Sequence, residues 1–188
     1  MLFRSFVPAS TTSTWKNAVD GHARGVEVLL GRSAERGLAG WVSYAYGQAR
    51  KADTGTGERF WGDYDQRHTV NAFAAYRLSD RTSLSVRFRA GSNTPATGYW
   101  VERNGQYFVG TTRNDLRTPP YARLDVRGNR TFTRQRSRLT LHVEVLNVLK
   151  HDNQRFLPPS VNRKTLEATG LFESVLPLVP SAGLLVEF

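Results

Sequence analysis

The sequence predicts an all-β chain: an antiparallel up-and-down transmembrane β-barrel segment of about seven strands, an incomplete barrel. Three observations predict it. Apolar and polar residues alternate with a period of two, short and long connections follow one another in strict turn, and the last alternating stretch ends on an aromatic residue. Period two is the signature of a strand, because successive side chains point to opposite faces. No segment carries an amphipathic helical stripe with caps.

Taken in order, weaker copies of the pattern place strands near 24–31, 38–50 and 67–78. The fourth, near 82–92, is clear: Leu84, Val86, Phe88 and Ala90 oppose Ser85, Arg87 and Arg89. In the fifth, near 121–132, Leu124 and Val126 alternate with Arg123, Asp125 and Arg127. The sixth, near 138–149, sets Leu139, Leu141, Val143 and Val145 against Thr140, His142 and Glu144. The seventh, near 182–188, aligns Leu184, Val186 and Phe188. Residues 1–22 show no such alternation and read as an irregular segment, the remnant of an outer loop, ahead of a barrel part at 23–188.

The connections near 32–36, 79–81 and 133–137 are short and polar. Those near 51–66, 93–120 and 150–181 are long and rich in Gly, Pro, Asn and aromatics. In an up-and-down sheet this places all short turns at one rim and all long loops at the other, as in transmembrane barrels with tight periplasmic turns and extended outer loops. The final strand then runs towards the short-turn rim and ends in the periplasm at Phe188, a C-terminal signal for barrel assembly. Several strands reach the ~9–11 residues that cross a bilayer. Tyr44, Tyr46, Tyr76, Tyr99, Trp100, Tyr121, Phe132 and Phe188 sit near strand ends, where amphipathic rings favour the headgroup level. Seven strands leave edges that lipid cannot satisfy, so the reading is of a chain that lacks N-terminal strands.

On this reading Arg87, Arg89, Arg123, Asp125, Arg127, His142 and Glu144 face the lumen. A soluble sandwich with one wet face shares the alternation. The net charge of +10 raises nucleic acid as a partner, but the basic residues are scattered from Arg4 to Lys164 rather than gathered. The chain has no cysteine, which excludes disulfides and thiolate metal sites. His22, His68, His142 and His151 show no ligand spacing, and no metal or cofactor is expected. No Walker loop, GxSxG elbow or HExxH is present, so no enzyme is predicted. Asp63, Asp65, Arg67 and His68 cluster at a loop-to-strand junction and read as a hydrogen-bonded rim network. Trp61, Tyr64, Tyr99, Trp100 and Tyr107 lie in the long loops, either to contact a ligand or to pack those loops down on the rim.

Several local patterns together resemble the C-terminal barrel region of TonB-dependent receptors. They are Ala23-Arg24-Gly25-Val26-Glu27, Ser43-Tyr44-Ala45-Tyr46, Asp65-Gln66-Arg67-His68-Thr69-Val70-Asn71, Tyr121-Ala122-Arg123-Leu124-Asp125-Val126-Arg127, Val143-Glu144-Val145-Leu146-Asn147-Val148-Leu149 and the terminal Phe188. The resemblance implies an outer-membrane receptor of roughly 22 strands with a plugged lumen, energised by TonB through its N-terminal plug, that takes up a scarce ligand such as a siderophore. The sequence shows no plug, TonB box or export signal. The expectation is therefore a C-terminal fragment whose partners are outer-membrane lipid, the barrel-assembly machinery and missing N-terminal strands and plug. Two alternatives stand beside it: a small non-transporting outer-membrane barrel, which needs an eighth strand within 1–22, and a soluble basic β-sandwich that binds nucleic acid.

Overall fold

The computed structural model describes residues 5–8, 15–35 and 37–188, and among them every regular element is a β-strand. In chain order these are β1 (Ser5–Pro8), β2 (Trp15–Arg32), β3 (Gly37–Asp53), β4 (Arg59–Trp61), β5 (His68–Ser79), β6 (Thr82–Gly91), β7 (Trp100–Arg103) and β8 (Gln106–Val109). There follow β9 (Tyr121–Arg134), β10 (Ser137–Leu146), β11 (Asn153–Phe156), β12 (Ser160–Val161), β13 (Glu167–Thr169), β14 (Phe172–Val175) and β15 (Val179–Glu187). The seven strands expected from alternation are β2, β3, β5, β6, β9, β10 and β15. They lie side by side in chain order as an antiparallel meander, with β1 outside β2 and β4 filling in beside β3. No sheet is closed.

Pairing register carries the sequence pattern across the whole sheet. Leu30, Val42, Ala72, Phe88 and Leu124 form one cross-strand row on five successive strands. Nearer the short turns, Leu84, Gly128, Val143 and Ala182 form another on four. Residues directly opposite one another share a face, so the apolar halves of all seven strands merge into one continuous surface. That surface is bare. Val26 is 66% exposed, Val143 51% and Leu184 60%. Among the described residues the buried apolar side chains are Phe60, Ala96, Ala168 and Leu171, all at or beyond the loop end of the sheet. The chain exposes 13369 Å², about half as much again as the ~9,000 Å² expected of a compact monomer of 21.1 kDa.

Rings lie on this apolar face near both ends of the band. At the loop end Tyr44 Oη and His68 Nδ1 share a 2.8 Å hydrogen bond, and Gln48 Nε2 donates to Tyr46 Oη at 2.7 Å. Tyr76, opposite Leu38 and Leu84, and Phe132, opposite Leu139, lie towards the short turns.

The long connections are structured, which the sequence pattern did not reveal. β7, β8, β12 and β13 form a four-stranded sheet that joins the 93–120 connection to the one before β15, and β11 pairs with β14. These pairs are two to four residues long, too short for a period to register. Residues 1–22 also differ from expectation. β2 starts at Trp15, and Ser5–Pro8 pairs with Trp15–Val19; residues 1–4 and 9–14, and Arg36 of the first short turn, lie outside the described residues. The added length of β2 comes from its ladders with Ala49–Asp53 of β3 and with β1. That region lies past the apolar band, where neither face needs hydrophobic residues, so no alternation marks it. The last strand likewise opens at Val179 rather than 182.

Gly40 shows how tightly the wall is drawn: a Cβ there would collide with the Phe73 carbonyl on the neighbouring strand, whereas at Gly128 it would make only ordinary contact with Leu84. A backbone obstacle cannot rotate away, so Gly40→Ala is expected to cost about 2 kcal/mol and Gly128→Ala under ~0.5 kcal/mol. Denaturant midpoints of the two variants check this, and equal midpoints would contradict the close approach.

Candidate functional site

The long loops are fastened to the sheet by buried polar side chains. Asp65, between β4 and β5, is 1% exposed. Its Oδ1 accepts the Ala49 amide at 2.7 Å, and its Oδ2 accepts Arg67 Nε at 2.9 Å and Arg117 Nη2 at 2.5 Å. Arg117 comes from the 93–120 connection and also donates through Nη1 to the carbonyls of Asp65 and Asn93. Burial works to raise the Asp65 carboxyl, but the hydrogen bonds from Arg117, Arg67 and the Ala49 amide outweigh it and hold the group below the ordinary carboxylate value. Asp63 is lowered in the same way: burial opposes, while Lys51 at 2.7 Å and Asn114 prevail.

Two asparagines act as further fasteners. Asn114, fully buried, donates Nδ2 to the Trp61 carbonyl at 2.7 Å and to Asp63 at 2.9 Å, and accepts the Gly98 amide at 3.0 Å. Asn153, also fully buried, brackets Ala122 on β9, accepting its N–H at 2.9 Å and donating to its carbonyl at 2.8 Å. One side-chain amide thus stands in for a missing strand partner on each side of the long connections.

The five loop aromatics separate by what they touch. Trp61 belongs to the fastening: the Arg50 guanidinium carbon lies 3.2 Å from its ring centre and that of Arg67 4.1 Å. Tyr99 donates to Glu58 Oε2 at 2.8 Å, and that bond chiefly pushes its phenol up. Glu58 Oε1 takes the Arg113 amide, so Tyr99 is part of a loop-to-loop tie. The Trp100 indole donates to the Thr97 carbonyl at 2.9 Å. Tyr107 meets Phe172 edge-on at 5.4 Å, and burial pushes its phenol up. Tyr64 alone of the five stands free, 93% exposed. The geometry therefore ties Trp61 and Tyr99 into the loop network, Tyr99 still 41% exposed, and leaves Tyr64 standing free.

The charged residues read from the strands all lie on the face opposite the apolar band. Arg89 stands opposite Arg123, Arg87 opposite Asp125, Arg127 opposite Glu144 and His142 opposite Asn129. Arg123 Nε donates to Asp125 at 2.7 Å, and the same Asp125 oxygen accepts the Asn147 amide at 3.0 Å. A cleft of about 740 Å³ is bounded by Trp41, Phe73, Arg87, Arg123, Arg127 and Glu144, on five strands at once. A flat sheet encloses nothing over such a width, so the sheet curls with its polar face inside. A second cleft of about 470 Å³ opens nearer the loops between Gln66, Asn71, Arg89, Tyr121, Gln154 and Arg155. Hydrogen-bonding groups and two guanidiniums with aromatic walls suit a hydroxyl-rich or anionic ligand. Phe188 follows β15 and is fully exposed.

The junction cluster of Asp63, Asp65, Arg67 and His68 divides. The first three join the network, whereas His68 turns to Tyr44 on the apolar face. Arg117, Asn114 and Asn153 escaped the sequence reading, since nothing local marks partners 31 to 53 positions away. Asn114 has a left-handed φ of 58°, a conformation that Asn tolerates better than most, but only the structure shows it. Among the described residues no three His, Asp or Glu converge as metal ligands. No family model matches the chain, and no curated protein matches it.

Removing the Asp65 charge leaves two guanidiniums, each about a quarter exposed, without their shared anion. Asp65→Asn is expected to cost about 3 kcal/mol, the low end for a broken buried pair because the arginines keep some water, and to speed tryptic cleavage within 93–120. The pH dependence has a definite sign. A carboxyl lowered by folding contributes its stability fully above about pH 4 and loses it as acidification passes through the lowered value. Protection of the 93–120 amides against hydrogen exchange, followed at each pH, should stay intact from pH 7 to about 5 and fall only below about 4. Loss near pH 6 would implicate a histidine instead.

Proposed function

We propose that this chain is the C-terminal barrel segment of a TonB-dependent outer-membrane receptor, in which long outer loops capture a scarce ligand and Phe188 ends the last strand in the periplasm. The observation that carries the bilayer part is the bare apolar face running unbroken across seven strands. Each of those strands has nine or more residues, the length that crosses a bilayer at a tilt. On β3 the band extends from Leu38 to Tyr46, about 27 Å along the strand and about 20 Å after tilting, close to the ~25 Å apolar band of such barrels. Three tight turns at one end and three elaborated connections at the other agree with periplasmic turns and outer loops. The receptor assignment rests on the ordered motifs from Ala23 to Phe188 and on the two polar clefts on the inner face. Ligand transport itself requires a plug and TonB coupling, so the segment acts as part of a larger receptor and catalyses no reaction.

One observation favours a second reading, a small non-transporting barrel. β1 pairs antiparallel with β2, where an eighth strand belongs. Its four residues fall well short of the ~9 needed to cross, which keeps this reading second. A soluble nucleic-acid-binding sandwich needs a second sheet packed on the apolar face, and the described residues supply none there.

Position on the two faces gives the test. Val86→Arg, in the middle of the apolar band, is expected to lose about 2–4 kcal/mol of bilayer stability and to block the heat-modifiable, protease-resistant band in outer membranes. Ser85→Arg, one residue away on the polar face, should leave that band in place. Equal tolerance of both, or a monomer soluble without detergent, would sink the bilayer reading. Rescue of the segment by co-expressed N-terminal receptor strands supports the receptor assignment; full assembly without them supports the small barrel.

A further inference from the structure

At the loop end the outer face of the sheet changes abruptly from apolar to cationic. β2 continues beyond Val26 with Arg24 and His22, β3 beyond Tyr46 with Gln48 and Arg50, and β4 brings Trp61 and Arg59 alongside. Together they border a cleft of about 870 Å³. We propose that this cleft binds the phosphate headgroup of an anionic lipid in the leaflet on the loop side, the acyl chains lying on the apolar face below. The inference rests on the bilayer reading above and gives one lipid class a defined seat.

Charge is the first argument. Arg24, Arg50 and Arg59 are exposed, and among the described residues none of them meets a carboxylate in an ion pair. Lys51 is already taken by Asp63, and Asp20 is the one carboxylate on the cleft's border. Three guanidiniums on the border of one cleft, without counter-charge, repel one another. A phosphate relieves that repulsion and accepts their paired N–H groups.

Preorganisation is the second. Arg24 Nη2 donates to Gln48 Oε1 at 3.1 Å, and Gln48 donates in turn to Tyr46 Oη at 2.7 Å, which ties the cation to the upper border of the apolar band. Arg50 lies flat against Trp61, whose carbonyl Asn114 holds in place. Arg24 and Arg50 are therefore held in place before a ligand arrives, and a bound headgroup has less to order.

Height is the third. Gln48 and Arg24 stand two residues above Tyr46 and Val26, about 7 Å along the strand. Arg24 thus falls within the ~5–8 Å of headgroup on each side of the hydrocarbon, with Arg50 two and Arg59, opposite Ala52, four residues higher. At the turn end the described outer-face cations are Arg32 on β2, and Arg130 and Arg134 four residues apart on β9, so they are spread over strands that are not neighbours.

The test uses the full chain in detergent micelles doped with either phosphatidylglycerol or phosphatidylcholine, with retained lipid counted by native mass spectrometry. Phosphatidylglycerol should be retained at least tenfold over phosphatidylcholine. Arg24→Gln/Arg50→Gln/Arg59→Gln should abolish that preference, while Arg103→Gln/Arg163→Gln/Lys164→Gln, with the same charge removed from the loops, should keep it. Equal retention by the two variants overturns the site, as does displacement of the lipid by millimolar inorganic phosphate, which marks a free-anion site. A chain that enters bilayers but shows no lipid preference sinks this proposal and leaves the bilayer reading standing. A chain that stays soluble without detergent sinks both.

Discussion

Phe88 stands opposite Ala72 on one side and Leu124 on the other, and that pairing fixes the direction of every side chain in the three strands involved. Register is the constraint on which the rest depends. A slip of one residue between any two neighbours would send one strand's apolar set to the polar face. Seven strands keep phase with few irregularities, such as the shift between Arg77 and Ser79 next to the tightest turn. The Gly40–Phe73 approach belongs to the same discipline, because it holds β3 and β5 at a spacing that no side chain at that position would permit.

With the apolar face outside, the wall has no interior of its own to hold it together. Backbone hydrogen bonds run along it, and its inner face is knitted by Arg123, Asp125 and the Asn147 amide. The loop end works differently. There a small apolar cluster around Phe60, Ala96, Ala168 and Leu171 coexists with buried ions and amides, and specific partners, not area, fix the loops. Such networks lock one arrangement when every member is satisfied and fail steeply when one is removed.

The wall was legible in the sequence because its rule is local. Leu84, Val86, Phe88 and Ala90 announce their face within seven residues, and three tight turns say which strands are neighbours. The charged set from Arg87 to Glu144 shared one face for the same reason. The N-terminal extension of β2 and the loop sheets obey no such rule. Lys16 and Asp20 lie in a strand because Val7 and Ala52 are across from them, and the two-to-four-residue loop pairs exist because distant segments meet. Asp65 looked like half of a local cluster, yet its strongest partner, Arg117, sits 52 residues on. Trp61 read equally as a ligand contact or a packing residue, because its composition is shared by binding loops and by packed ones, and only the arginines around it separate the two.

The open edges carry a consequence of their own. β2 and β15 both run from the loop end to the turn end. Joined directly, to each other or to the same edges of a second copy in the same orientation, they would have to pair in parallel. An antiparallel neighbour must run in the opposite direction at each edge, so any run of strands that bridges the two edges is odd in number, its first and last members both running from the turn end to the loop end. β1, antiparallel to the upper end of β2, is already travelling that way. Parity of direction, more than size or affinity, decides what can complete this wall.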